Sequence, residues 1–213
     1  MSVEVTELLN LAWSKPKLKH LAPHVLSMIE RSNCTAHWVA TTIMFHEKLK
    51  ERSLVIAKFI DIAHELYVLQ NFDSLMGVLA GLNLSSVSRL KFSNLSLNDS
   101  SVTLLEEVKA LMEPQSSWSN YRNHLKSIVA PAIPYMGVYL TDLTFIEDGN
   151  ADTSDDTINF RKRELVGRVL QDIQVFQQTP YKIEATEPLS TYLIELPFMD
   201  QEVLYTLSLQ REP

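Results

Sequence analysis

Few residues of this 213-residue chain stand at spacings that could perform covalent chemistry. A helical zinc site needs two histidines four apart beside a glutamate, so that both imidazoles reach one ion. Here His46-Glu47 is followed by Lys50, and His64-Glu65 by Val68, so neither pair qualifies. The acidic stretch that starts at Asp148 places oxygen ligands at Asp148, Asn150 and Asp152, as a calcium loop does. Thr153, however, stands where the turn requires glycine, and Asn159 where the bidentate glutamate belongs. Cys34 has His24 and His37 near it in sequence, yet a reactive thiolate needs a geometry that spacing does not supply. A half-buried cysteine between two helices is the plainer reading. No serine sits in a G-x-S-x-G elbow, and neither G-x-G-x-x-G nor a P-loop occurs among the five glycines. Arg161-Lys162-Arg163 reads as a solvated helix face, able on charge alone to steer toward an acidic surface. No metal and no cofactor are expected. The chemistry left to the chain is that of a surface acting on a partner.

The elements that must position such a surface are mostly helical. Residues 7–20 read as a short helix and turn around Trp13. Pro23 opens a helix carrying Val25, Leu26, Met28 and Ile29, and after Asn33 a third helix starts near Thr35. The strongest periodicity runs from Glu51 to Gln70, with Val55, Phe59, Ile62, Leu66 and Leu69 on one seam. Ile56, Ile60, Ala63 and Tyr67 lie on the next, and two adjacent seams suit a central helix packed on several sides. Asn71 and Asp73 can cap a helix over Ser74–Asn83, whose Gly77-x-x-x-Gly81 pair predicts close packing of another helix. Ser88–Ser100 reads as a polar connector, and Asn98 and Asp99 cap a helix that buries Leu104, Leu105, Val108, Leu111 and Met112. Pro114–Asn120 is a loop holding Trp118, followed by a helix through Tyr121, Leu125 and Ile128. Phe160–Gln178 is helical, Thr179–Glu187 extended, and two short helices follow Pro188 and Asp200.

The stretch 131–160 resists this treatment. Pro131 and Pro134 mark an irregular entry. From Gly137 to Ile146 the apolar residues alternate as in a strand, but Val138, Thr141 and Phe145 also share a helical line, with Leu140, Leu143 and Thr144 beside it. Periodicity leaves both readings open. A loop with five carboxylates follows.

Composition narrows the setting. A net charge of −7 disfavours nucleic acid and anionic membrane surfaces, both of which need clustered positive charge. A single cysteine excludes an internal disulfide and suits a reducing compartment. The start carries no basic region followed by an apolar stretch, and the longest uncharged apolar run, Leu75–Leu84, is too short to span a bilayer. The expectation is a cytoplasmic, all-α chain whose residues 1–213 form one compact multi-helix domain with a large core, inserting into no membrane.

PYMGVYLTDLTFIEDGN resembles the signature of the catalytic (CDC25-homology) domain of Ras-family guanine-nucleotide exchange factors. APHVLSMIERSNCTAHWVA, NFDSLMGVLAGLNLSSVSRLK and INFRKRELVGRVLQDIQVFQQTPYKI resemble further blocks of that domain, in the same order, so the similarity covers roughly residues 7–213. The resemblance favours the helical reading of 137–146, as the first helix of a protruding hairpin pushed against the nucleotide site of a small GTPase. It places Thr144 where members crowd the metal site with leucine or alanine, and Asp148 where many hold a glutamate toward the phosphates. It assigns the grip on the switch regions to Leu26, Met28, Ile29, Glu30, Ser32 and Asn33 from one block, and Leu82, Asn83, Ser88 and Arg89 from another. Asn83 would pair with switch backbone, and at least one of Leu26, Met28 and Ile29 is expected to be ordinary core. Trp118, Tyr121 and Lys126 flank the site, while Tyr139, Thr141 and Phe145 share the hairpin helix. The implied partner is a Ras-family GTPase, Ras before Rap or Ral, on the VFQQTPYKI stretch and the SLQREP ending. Exchange of this kind involves no covalent chemistry. The family's usual N-terminal helical segment is read as missing, with membrane recruitment left to other parts of a parent protein or its partners. A helical scaffold that binds a GTPase without exchange is the alternative.

Overall fold

The computed structural model describes residues 3–154 and 157–213, and its fold is all-α. Contacts divide the chain into two compact units: the residues up to Glu30 with Val129–Tyr181, and Arg31–Ile128 with Lys182–Pro213.

In the first unit, 3-10 turns at Val5–Leu11 and Lys19–Leu21 lead into helix α1, Pro23–Met44. Proline fits the first helical position because its missing N–H would have no intrahelical partner there. The next two amides find one outside the helix. The Glu7 carboxylate, 2% exposed, accepts from His24 N at 2.7 Å and Val25 N at 3.1 Å, and pairs with His24 Nδ1 at 2.6 Å. Helix α8, Met136–Gly149, resolves the ambiguity left by the alternating pattern. Met136, Tyr139, Leu140 and Leu143 recur at helical spacing, and all enter one core with Leu8, Leu11, Trp13 and Val25. Helix α9, Phe160–Gln177, adds Val166 and Ile173 to it. Between α8 and α9 lies a feature the sequence did not announce, an antiparallel ribbon of β1, Thr153–Ser154, and β2, Thr157–Ile158.

In the second unit, the remainder of α1 runs on without the break expected at Asn33, so Cys34 lies inside one helix and not between two. Helices α2, Leu49–Val68, and α3, Phe72–Asn83, follow. On α2 the deeply buried apolar residues are Ile56, Phe59, Ile60 and Ala63, and the helix packs on α3 and on α6, Asp99–Leu111. Asn71 and Asn98 cap α3 and α6, accepting from Ser74 N and Ser101 N. The glycine pair does bring two helices together: a Cβ on Gly81 would lie 2.6 Å from Ala36 O and 2.7 Å from Val39 Cβ of α1.

Residues 88–100 are not a plain connector. They carry the end of α4, Ser85–Ser88, and all of α5, Lys91–Leu95. The free amides of α5 are the reason: Phe92 N and Ser93 N donate to Glu212 at 2.9 and 3.0 Å, a cap supplied from the far end of the chain. Helix α7, Gln115–Ser127, begins in the expected loop, and Ser116, Ser117 and Trp118 hold left-handed backbone there. Thr179–Glu187 forms no strand. It leads to α10, Leu189–Ile194, and then α11, Gln201–Arg211.

Candidate partner-binding site

On α8 the residues singled out from sequence separate by helical phase. Tyr139, 6% exposed, lies in the core and offers no surface of its own. Thr141 and Phe145 are exposed and Thr144 is half-buried; Phe145 keeps 72% of its surface in solvent. Together with Trp13 and Leu140 they line a shallow depression of about 250 Å3. The Thr144 hydroxyl donates to Leu140 O at 2.8 Å and that of Thr141 to Gly137 O at 2.7 Å. With each hydroxyl proton returned to its own helix, each threonine has a methyl and an acceptor oxygen, but no donor, left for another molecule. That narrows the difference between Thr144 and an apolar residue at the same place.

Asp148 is exposed and stands in the last turn of α8, not in the loop beyond it. A carboxylate at a helix C-terminus faces the negative end of the helix dipole, an unfavourable position unless a cation is near. The cation serves its neighbour. Lys162, 2% exposed, places Nζ 2.6 Å from Glu147 and 3.0 Å from Asp152, and Arg163 reaches Asp152 at 2.7 Å. The basic run is a solvated face only in part: Arg161 and Arg163 are exposed, but the middle residue is buried between two carboxylates. Asn159 completes the turn, capping α9 through Lys162 N and donating to Ala151 O. The partial likeness to a calcium loop dissolves here, since Asp152 is engaged by cations and Asp148 belongs to the helix. Among the described residues no cluster of three or more His, Cys, Asp or Glu side chains could hold a metal ion.

The first unit also holds four residues of the α1 block. Leu26 and Met28 pack against its core, whereas Ile29 is 37% exposed and Glu30 exposed.

In the second unit Ser32 is half-buried and Asn33 exposed. Asn83 is the exposed last residue of α3 and borders a groove with Met76, Leu79, Lys109, Met112 and Pro114. Ser88 is exposed. Leu82, at 7%, and Tyr121, at 0%, are interior, Tyr121 standing edge-on to Phe72 at 5.3 Å and to Trp118 at 6.4 Å. Half-buried Trp118 is the member of that stack with surface to offer. Arg89 is committed internally: its guanidinium donates to Ser208 O and Glu212 O, both at 2.7 Å. It fastens α11 to the unit, so the guanidinium expected to meet a partner is instead engaged within the fold.

Sequence reasoning missed three buried ionic centres: Glu7 at α1, Lys162 in the turn, and Arg52 with Glu212. Arg52, 1% exposed, bonds Ser93 Oγ at 3.1 Å, His46 O at 3.2 Å and Glu212 at 3.2 Å. One signal was available for Lys162, because a carboxylate-rich helix end faces a basic helix start across a short turn.

The chain matches the RasGEF domain family over residues 1–164. It is 41% identical over 221 residues to Ras guanine nucleotide exchange factor S of Dictyostelium discoideum, covering 99% of this chain and 21% of that protein. Factor R of the same organism is 41% identical over 212 residues, covering 99% and 12%, and factor J is 38% identical over 213 residues, covering 100% and 26%. The chain thus spans about a quarter or less of each of these three relatives.

Proposed function

The chain belongs to the RasGEF domain family, and from that premise we propose that it promotes GDP release from a Ras-family GTPase. The observation that carries this reading is the α8 face, where Thr141, Thr144, Phe145 and Asp148 stand on one helix held firmly from behind by core residues. To expel a nucleotide, a protein must bind the empty GTPase more tightly than the loaded one; reciprocity then lowers nucleotide affinity by the same factor. No bond need be made or broken. The Thr144 methyl and the Phe145 ring would occupy space near the metal site. Asp148 would repel phosphate and accept hydrogen bonds from the donors that phosphate vacates. Exposed Ile29, Asn33 and Asn83 would hold the mobile switch segments. We place Ras ahead of Rap and Ral as substrate, from the VFQQTPYKI stretch and the chain's ending.

The test is release of a fluorescent GDP analogue from purified Ras, Rap and Ral proteins. Accelerated release from at least one supports exchange, and its rank order names the substrate. Capture of nucleotide-free GTPase with no acceleration would establish the scaffold reading instead.

A further inference from the structure

The turn between α8 and α9 breaks a local rule twice. Acidic side chains are favourable at helix N-termini and basic ones at C-termini, because of the helix dipole. Here Glu147 and Asp148 end α8 with no basic residue in its last turn, while Arg161, Lys162 and Arg163 begin α9 with no acidic residue in its first turn. Each arrangement is wrong for its own helix, yet the two are complementary across the turn. Departures of this kind concentrate where function constrains a sequence.

The complement is used unequally. The Lys162 side chain is 3% exposed and takes Glu147, itself 17% exposed, and Asp152. Asp148, the next residue after Glu147, is left in solvent. The hydrogen bond to Glu147 holds the Lys162 ammonium above the usual lysine range, against burial, which acts the other way. A lysine buried this deeply would be costly without both partners.

We propose that Lys162 is a positioning residue for exchange: by binding Glu147 and Asp152 it fixes the end of α8 and leaves Asp148 as the carboxylate presented to the GTPase. This rests on the exchange reading above. Without the clamp, Glu147 and Asp148 would be free to interchange and the last turn of α8 to fray. A misplacement of about 1 Å in an acting group can cost on the order of 100-fold in rate. Lys162 itself, 2% exposed, has almost no surface to offer a partner.

The experiment measures GDP release at saturating and limiting GTPase, so that maximal rate and half-saturation separate, for wild type, Lys162→Met, Lys162→Arg, Asp148→Asn and the double variant Lys162→Met/Asp148→Asn. Lys162→Met keeps volume and loses charge. Its maximal rate should fall by roughly 10- to 100-fold with little change in half-saturation, and Lys162→Arg should recover most of the loss. In the Asp148→Asn background the same substitution should cost far less, since a group that acts through Asp148 has nothing left to position. If Lys162→Met loses its helical circular dichroism, Glu147→Gln, which removes the same ion pair at constant volume, carries the test. The proposal is overturned if these variants exchange as wild type does, or if the Lys162 and Asp148 effects multiply independently. A wild-type chain that accelerates no GTPase would sink the exchange reading itself, a result distinct from either.

Discussion

At the residue scale, the groups proposed to act are small and their roles separable. Thr144 borders the depression on α8 with its hydroxyl bonded to Leu140 O. Thr144→Lys places a long cation where a methyl stood and should abolish exchange while the circular dichroism spectrum stays unchanged; undiminished GDP release would remove this face from the mechanism. Asn83 tests the second unit. Its side chain is exposed at the end of α3, and the residue that closes the helix is Leu84, whose amide donates to Gly81 O. Asn83→Ala should therefore alter stability by less than about 0.5 kcal/mol and weaken capture of nucleotide-free GTPase. A sharply lower melting temperature with affinity per folded molecule intact would make Asn83 a structural residue.

At the element scale, the fold depends on close helix contacts and on caps drawn from distant sequence. Gly81 lets α3 approach α1, and an added Cβ would meet backbone, not a flexible side-chain tip, at 2.6 Å. Gly81→Ala should cost about 1–3 kcal/mol through overpacking, read as a lower urea midpoint at unchanged slope. Gly149, where an added Cβ meets nothing within 4 Å, is the control. Glu212 caps α5 while neutralising Arg52, so Glu212→Ala strands a buried guanidinium and two amides together. Breaking a buried pair from one side typically costs about 3–5 kcal/mol, and the urea midpoint should fall further than for any substitution at an exposed position.

At the scale of the whole molecule, two buried carboxylates are expected to contribute to the response to acid. Burial would raise both the Glu7 and Glu212 values. The hydrogen bonds from His24, Val25 and Glu4 to the first, and from Ser93, Phe92 and Arg52 to the second, outweigh it and hold both below the ordinary 4.5. A depressed carboxylate stabilises the fold fully above its unfolded value, and that contribution is lost as the pH falls through the lower folded value. Urea midpoints should hold steady on the neutral side of 4.5 and drop below it, with a shallower drop in Glu7→Gln. An equal drop in that variant would assign acid sensitivity to other groups. No helix among the described residues is long and apolar enough to cross a membrane.

The sequence by itself determined the helices that carry an amphipathic stripe, such as α2, α6 and α9, and the caps at Asn71 and Asn98, because those signals lie within one or two turns of the residues they govern. It also determined the family and, through that resemblance, the helical reading of 137–146, since the similarity is carried by an unbroken run of residues. Tertiary structure alone decided the rest. α1 runs through Asn33 because no local signal there is strong enough to stop a helix packed along its length, and α5 exists because Glu212, 120 residues beyond Phe92, satisfies its first amides. Arg89 and Lys162 show the same limit in the candidate site. From sequence both read as exposed cations, one for a partner and one for solvent. Which cation is buried depends on which carboxylate or carbonyl the fold brings within hydrogen-bonding distance, and that partner can stand ten residues away, as Asp152 does from Lys162, or 119, as Ser208 does from Arg89.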